Sequence, residues 1–235
     1  MITQESIKRL ATASKTSEFP NVVREYFQHV FLSELYKLSG SEKLLFKGGT
    51  ALRIVYGSPR FSEDLDFSLL KVPDYERTKY IENMFARVLA SIEQSGIRPE
   101  IGKKSGATSG GYYGSATFQA YDYPPVGVTI NVSSRNGRSV RGDVDVIAND
   151  FVPAYSLLHL PKNELVEEKI FGALLERKKE RDFYDLYFLL RKGMLSPEQK
   201  KRLAGVQNII LKAAAKKNFR GELRFFLPLD QQAII

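Results

Sequence analysis

Two short runs in this 235-residue chain hold residue types that do chemistry when they are brought together. One is Asp64-Leu-Asp-Phe-Ser-Leu69, which alternates polar and apolar side chains as a strand does. On a strand, residues i and i+2 share a face, so the Asp64 and Asp66 carboxylates point one way while Leu65 and Phe67 point to the core. Adjacent carboxylates repel unless a cation lies between them. Hard oxygen ligands favour Mg²⁺, or Mn²⁺ in its place, and such an ion also takes oxygens from substrate phosphates. The other run is Gly48-Gly49, placed where a strand should pass into a helix. Glycine lets the backbone approach a ligand closely, and amides at a helix start suit an anion such as a triphosphate. A Gly-Gly turn alone is usually only a turn, and an Asp-x-Asp alone is usually a solvated strand face. The two in succession describe phosphate binding beside a metal site.

The surrounding pattern supplies elements to hold them. Apolar residues Val23, Phe27, Val30, Phe31, Leu35 and Leu38 recur at helical spacing after Pro20, and Ser39-Gly40 suits the end of that helix. Residues 43–47 read as a strand and 51–56 as a short helix opened by Thr50. After the 64–69 strand, Ile81, Met84, Phe85, Val88, Leu89 and Ile92 predict a long helix ending near Gly96. Residues 111–121, 126–133 and 140–147, rich in Tyr, Val, Ile and Thr between turn residues, read as antiparallel strands. Beyond Pro161, residues 163–176, 181–191 and 197–216 read as helices dense in Lys and Arg. The expected organisation is an α/β (α+β) core with a mixed sheet over residues 1–152, followed by a helical, basic part over 153–235.

Composition excludes several function classes. With 43% hydrophobic and 26% charged residues the chain is an ordinary globular one. It has no cysteine, so disulfides, thiol nucleophiles and Cys-based metal sites are absent. Two histidines, His29 and His159, make a multi-His metal site or a Ser/His/Asp triad a poor expectation; His29, beside a buried helix face, reads as structural. No apolar run reaches the roughly 18–20 residues that span a bilayer, and the N-terminus has no apolar leader segment. A soluble, cytoplasmic protein without a membrane partner is expected. Lys and Arg number 35 against 27 Asp and Glu, a net charge of +8 with a pI near 9.5, which invites a polyanion.

Lys47-Gly-Gly-Thr-Ala-Leu-Arg53 followed by Arg60-Phe-Ser-Glu-Asp-Leu-Asp-Phe67 resembles the AbiEii (MenT-like) family of nucleotidyltransferase toxins, within the DNA polymerase β nucleotidyltransferase superfamily. A second block, Glu168-Lys169 and then Arg181-Asp-Phe-Tyr-Asp185, matches the family's lysine on one helix and Arg-Asp-x-x-Asp at the start of the next. The resemblance implies a polymerase-β-like nucleotidyltransferase core. It implies Mg²⁺-dependent transfer of a nucleoside monophosphate from an NTP to an RNA acceptor such as a tRNA 3′ end, with growth arrest relieved by a cognate antitoxin. In that scheme Asp64 and Asp66 hold the metal, and Lys47, Gly48, Gly49, Thr50, Arg53, Ser62 and Lys169 contact the nucleotide. Lys169 neutralises triphosphate, and one of Asp182 and Asp185 joins the catalytic set. Arg53, Arg60 and Ser62 could equally form helix-to-loop ion pairs, and Arg181, Asp182 and Asp185 a helix-capping set. Nucleotidylation of a protein or small molecule, or a nucleotide-binding module without turnover, remain the alternatives.

One departure stands out. Superfamily members usually supply a third carboxylate from a later strand, and the strand Val128-Thr-Ile-Asn-Val132 offers Asn131 instead. Asp143 and Asp145 on the next strand, or Asp182 or Asp185, are the substitutes in the sequence.

Overall fold

A computed structural model describes residues 2–102, 104–134 and 140–235. By its contacts the chain divides into two units, residues 1–57 with 61–160 and residues 58–60 with 161–235.

The first unit is a mixed sheet. Its strands are β1 (Leu44–Lys47), β2 (Asp64–Leu69), β3 (Glu100–Ile101), β4 (Gly106–Thr108), β5 (Gly111–Phe118), β6 (Val126–Ser133), β7 (Asp143–Ile147) and β8 (Tyr155–His159), in the order β3-β5-β6-β2-β1-β8-β7, with β4 paired to β5. β2 runs antiparallel to β1 and parallel to β6. The helices are α1 (Gln4–Ala13), α2 (Val23–Leu35), α3 (Gly48–Ile54) and α4 (Arg77–Gln94). The apolar faces expected for α2 and α4 cover one face of the sheet. Phe27 stacks on Phe118 of β5 at 4.8 Å, and Phe85 meets Phe31 and Phe67 at 5.7 and 6.4 Å. That packing dictates the polarity of β2: Leu65 and Phe67 are wholly buried in the core, so Asp64 and Asp66 face the other way.

Three expectations are amended. The strand expected over 140–147 does not continue the antiparallel series. As β7 it pairs with β8 at the opposite edge, separated from β2 by β8 and β1. The helix expected from Thr50 begins at Gly48. The contact division falls after Leu160 rather than at 152, because β8 bonds to both β1 and β7 and therefore belongs to the sheet. Helix α1, capped by the Thr3 hydroxyl on the Ser6 N–H, adds Ile7 and Ala11 to the core.

The second unit is helical. α5 (Lys162–Glu167) runs on through a π-helical stretch at Glu168–Leu174 into α6 (Leu175–Arg177), followed by α7 (Glu180–Arg191), α8 (Pro197–Ala214) and α9 (Phe219–Leu223). Leu174, Phe183 and Ile210 form its core, with Leu186, Leu203 and Phe219 packed around them.

Candidate active site

In the first unit the two devices read from the sequence meet at one place. Gly48 has φ +83°, a backbone conformation glycine adopts freely and L side chains rarely do. A Cβ built on Gly48 would lie 2.0 Å from Asp66 Oδ2 and 2.8 Å from Asp66 Cβ. Glycine is thus required twice, by the turn and by the Asp66 carboxylate lying directly on the turn. Lys47, the last residue of β1, stands opposite Asp66 in register. Thr50 is fully buried and its hydroxyl donates to the Asp64 carbonyl, so it ties α3 to the first residue of β2.

Asn131, which in the sequence stands where an acidic residue is expected, lies beside Asp66. It pairs with Asp66 across β6 and β2, and its amide Nδ2 donates to Asp66 Oδ1 at 3.2 Å. Asp143 and Asp145 do not supply that acidic residue. They are exposed on β7, and Asp145 Oδ2 lies 3.0 Å from His159 Nε2. Among the described residues, no group of three or more His, Cys, Asp or Glu is arranged to hold a metal ion. Two neighbouring carboxylates fit Mg²⁺ all the same, because that ion keeps several waters and takes phosphate oxygens to fill its shell.

The flanking residues are bound into the scaffold. Arg53 Nη2 donates to Glu25 Oε2 at 2.8 Å, its Nε bonds the other carboxylate oxygen, and the guanidinium lies 3.6 Å over the Phe61 ring. The ion-pair reading of Arg53 is the one this geometry displays. Ser62 and Glu63 each accept from the buried Gln28 amide, at 3.0 and 3.1 Å through their carbonyls, which fixes the loop entering β2. Sequence reasoning missed Gln28 and also Arg24, which reaches the Gly127 carbonyl at 3.2 Å and Glu63 at 3.3 Å and feels the Asp64 charge. Both lie on α2 among residues that read simply as a helix facing the core. His29 is structural as expected: its Nδ1 lies 2.9 Å from the Tyr155 hydroxyl, and burial chiefly drives its pKa down to about 4.

The second unit holds the other candidates. Asp185, 1% exposed, is gripped by two cations. Arg60 places Nε and Nη2 at 3.0 and 2.8 Å from Oδ1, and Lys169 places Nζ at 2.8 Å from Oδ2. Burial alone would raise the Asp185 pKa, but the Arg60 and Lys169 charges outweigh it and hold the carboxyl below the usual range. Asp182 has a different task. Its Oδ2 accepts from the Lys179 N–H at 3.0 Å, closing the N-terminus of α7, and Arg177 forks onto both its oxygens at 2.7 and 3.0 Å. Both aspartates thus carry the capping and ion-pair contacts that Arg-Asp-x-x-Asp allowed, although Arg60 and Arg177 supply the arginine rather than Arg181.

A polar strand face bearing two carboxylates against a glycine turn, in a mixed sheet followed by helices, defines a nucleotidyltransferase fold. Solved structures that share it include two from Helicobacter pylori. One is a Helicobacter pylori protein provisionally described as a nucleotidyltransferase, with a TM-score of 0.55 and 19% identity over 92% of this chain and 91% of that one. The other is JHP933 from Helicobacter pylori, with a TM-score of 0.57 and 18% identity over 100% of this chain and 89% of that one. No match is found among curated proteins. The family described as nucleotidyl transferase AbiEii toxin, type IV TA system, matches residues 30–231, and the chain belongs to it. Membership of a toxin–antitoxin family implies an antitoxin partner. Among the described residues no helix is long and apolar enough to cross a membrane.

Proposed function

We propose that this chain transfers a nucleoside monophosphate from an NTP to the 3′ end of an RNA, with tRNA as the acceptor, releasing pyrophosphate in a Mg²⁺-dependent reaction that its antitoxin restrains. The observation that carries the reading is the placement of Asp66: its carboxylate shares a strand face with Asp64 and lies on the left-handed Gly48 turn. Mg²⁺ bound there would polarise the α-phosphate and offset charge developing on it. Asp64 and Asp66 would supply its oxygen ligands, and Asn131 donates to Asp66 Oδ1 without adding a charge. The family resemblance assigns Gly48 and Gly49 to the phosphates, on the turn where the Asp66 carboxylate lies, and Thr50 keeps Asp64 in place through its carbonyl. Lys47, one strand over from Asp66, is the lysine of this unit assigned to the nucleotide. The family resemblance also assigns Lys169 to the nucleotide; within its own unit its Nζ donates to Asp185 at 2.8 Å. Arg53 and Ser62 support the reading as parts of the frame.

The test is turnover of labelled NTPs with bulk tRNA and Mg²⁺, by the wild-type chain and by Asp64→Ala. Label entering RNA with the wild type and not the variant is expected. Label entering protein or a small molecule instead would move the acceptor. Nucleotide binding with no transfer to any acceptor would reduce the chain to a binding module.

A further inference from the structure

The sheet face that carries Asp66 continues past Asn131. β5 pairs with β6 so that Tyr113 stands opposite Asn131, and β4 pairs with β5 so that Gly106 stands opposite Tyr113. Cross-strand neighbours share a face, so Lys47, Asp66, Asn131, Tyr113 and Gly106 make one row across five strands. Strands are about 4.8 Å apart, which puts the Tyr113 backbone about 10 Å from that of Asp66, within the reach of one nucleotide. The adjacent tyrosine has another fate: Tyr112 points into the core, with its ring 6.0 Å from Phe85. Tyr113 is half-exposed on the face opposite that core. Beside it, a Cβ added to Gly106 would meet nothing within 4 Å, so the row ends in open space next to the Tyr113 side chain.

We infer that Tyr113 is a stacking platform for a nucleobase, and that Gly106 keeps the slot beside it open. A tyrosine ring accepts any base, since every base has a π face. The base comes either from the NTP or from the terminal residue of the acceptor strand; both present the same chemistry to the ring. The inference rests on the proposed nucleotidyl transfer for the identity of the ligand.

The experiment measures equilibrium binding, with Mg²⁺, of each of the four NTPs, of tripolyphosphate and of a short single-stranded RNA with a free 3′ hydroxyl. The chains compared are the wild type, Tyr113→Ala, Tyr113→Phe and Gly106→Leu, with thermal melting to show that each is folded. Tyr113→Ala and Gly106→Leu are expected to weaken one nucleobase ligand by about tenfold or more, the size of a lost stacking contact. Tyr113→Phe should retain the affinity, and tripolyphosphate, which has no base, should bind all four chains alike. Weakening confined to the NTPs assigns the base to the substrate; weakening confined to the RNA assigns it to the acceptor. Wild-type affinity of Tyr113→Ala for both, or an equal loss for tripolyphosphate, overturns the platform while leaving the proposed reaction standing. A wild-type chain that binds neither NTP nor RNA overturns both.

Discussion

Asp66 and Asp185 are aspartates on regular elements, one in each unit, and their surroundings are built on opposite principles. Asp185 is sealed from water and neutralised by two cations, Arg60 and Lys169. Asp66 is half-exposed, has a like charge two residues away at Asp64, and takes a hydrogen bond from the neutral amide of Asn131. A buried carboxylate with matched cations is complete and holds a fold together. The Asp64–Asp66 pair brings two negative charges to one strand face, beside a neutral amide rather than between two buried cations. The same residue type is thus a structural tie in one unit and, on the proposed function, a metal ligand in the other, and the neighbours make the difference.

The comparison is broken most directly by removing each charge. Asp66→Asn should lower transfer roughly a thousandfold, since metal stabilisation of a phosphoryl transition state is worth several kcal/mol. It should leave the melting temperature unchanged or higher, because like-charge repulsion with Asp64 is relieved. Asp185→Ala should do the reverse to stability: two cations stay buried without their carboxylate, at a cost of about 3–5 kcal/mol, or about 10 °C in melting temperature for a chain of this size. Thermal melts and single-turnover assays on both variants read the contrast. An Asp66→Asn protein as active as wild type would remove it.

Acid should separate the two units by pH. His29 in the sheet unit has its pKa held down to about 4 by burial, so between about pH 6.5 and pH 4 the unfolded chain binds a proton that the folded one does not. Stability from this group is therefore full above about pH 6.5 and falls as pH drops towards 4, by about 3 kcal/mol in all. The Asp185 carboxyl is depressed, so its contribution persists through that window and is lost only below the ordinary carboxylate range. Urea unfolding at pH 7 and pH 5 should show the wild type losing stability and His29→Gln losing much less. Equal slopes for both proteins would mean that His29 is not the titrating group.

What could be read in the sequence follows the range of the interactions. The β2 strand, the α2 and α4 faces and the polarity of Asp64 and Asp66 were legible because period-2 and period-3.6 patterns are local. The placing of β7 was not, since nothing in Asp143-Val-Asp-Val-Ile147 says which edge it joins. Asn131 was visible as a departure, but its hydrogen bond to Asp66 spans 65 positions. The pairing of Asp185 with Arg60 was not legible for the same reason, since the two are 125 residues apart. The cap made by Asp182 was legible as one of two options, because an Asp at a helix start has a local use.

The smallest expected effect concerns the basic helix α8. The cations on it and just beyond its end are of two kinds. Arg202 bonds Glu167 at 2.8 Å and lies 3.9 Å over the Phe171 ring, and Lys217 stands 3.6 Å from Glu180, so these serve the helical unit itself. Lys200, Lys201 and Lys212 are exposed. If the helical unit carries RNA, these three make its phosphate contacts, and each contact contributes about 0.7 to the slope of log affinity against log salt for a single strand. Replacing all three by Glu should therefore flatten the slope by about two and weaken tRNA binding at low salt, with NTP affinity and melting temperature unchanged. Binding measured from about 50 to 200 mM salt decides it, since contacts of this kind lose most of their strength over that range. An unaltered slope would make the lysines a solvated face and leave the acceptor to the sheet unit, on the row that holds Asp66 and Tyr113.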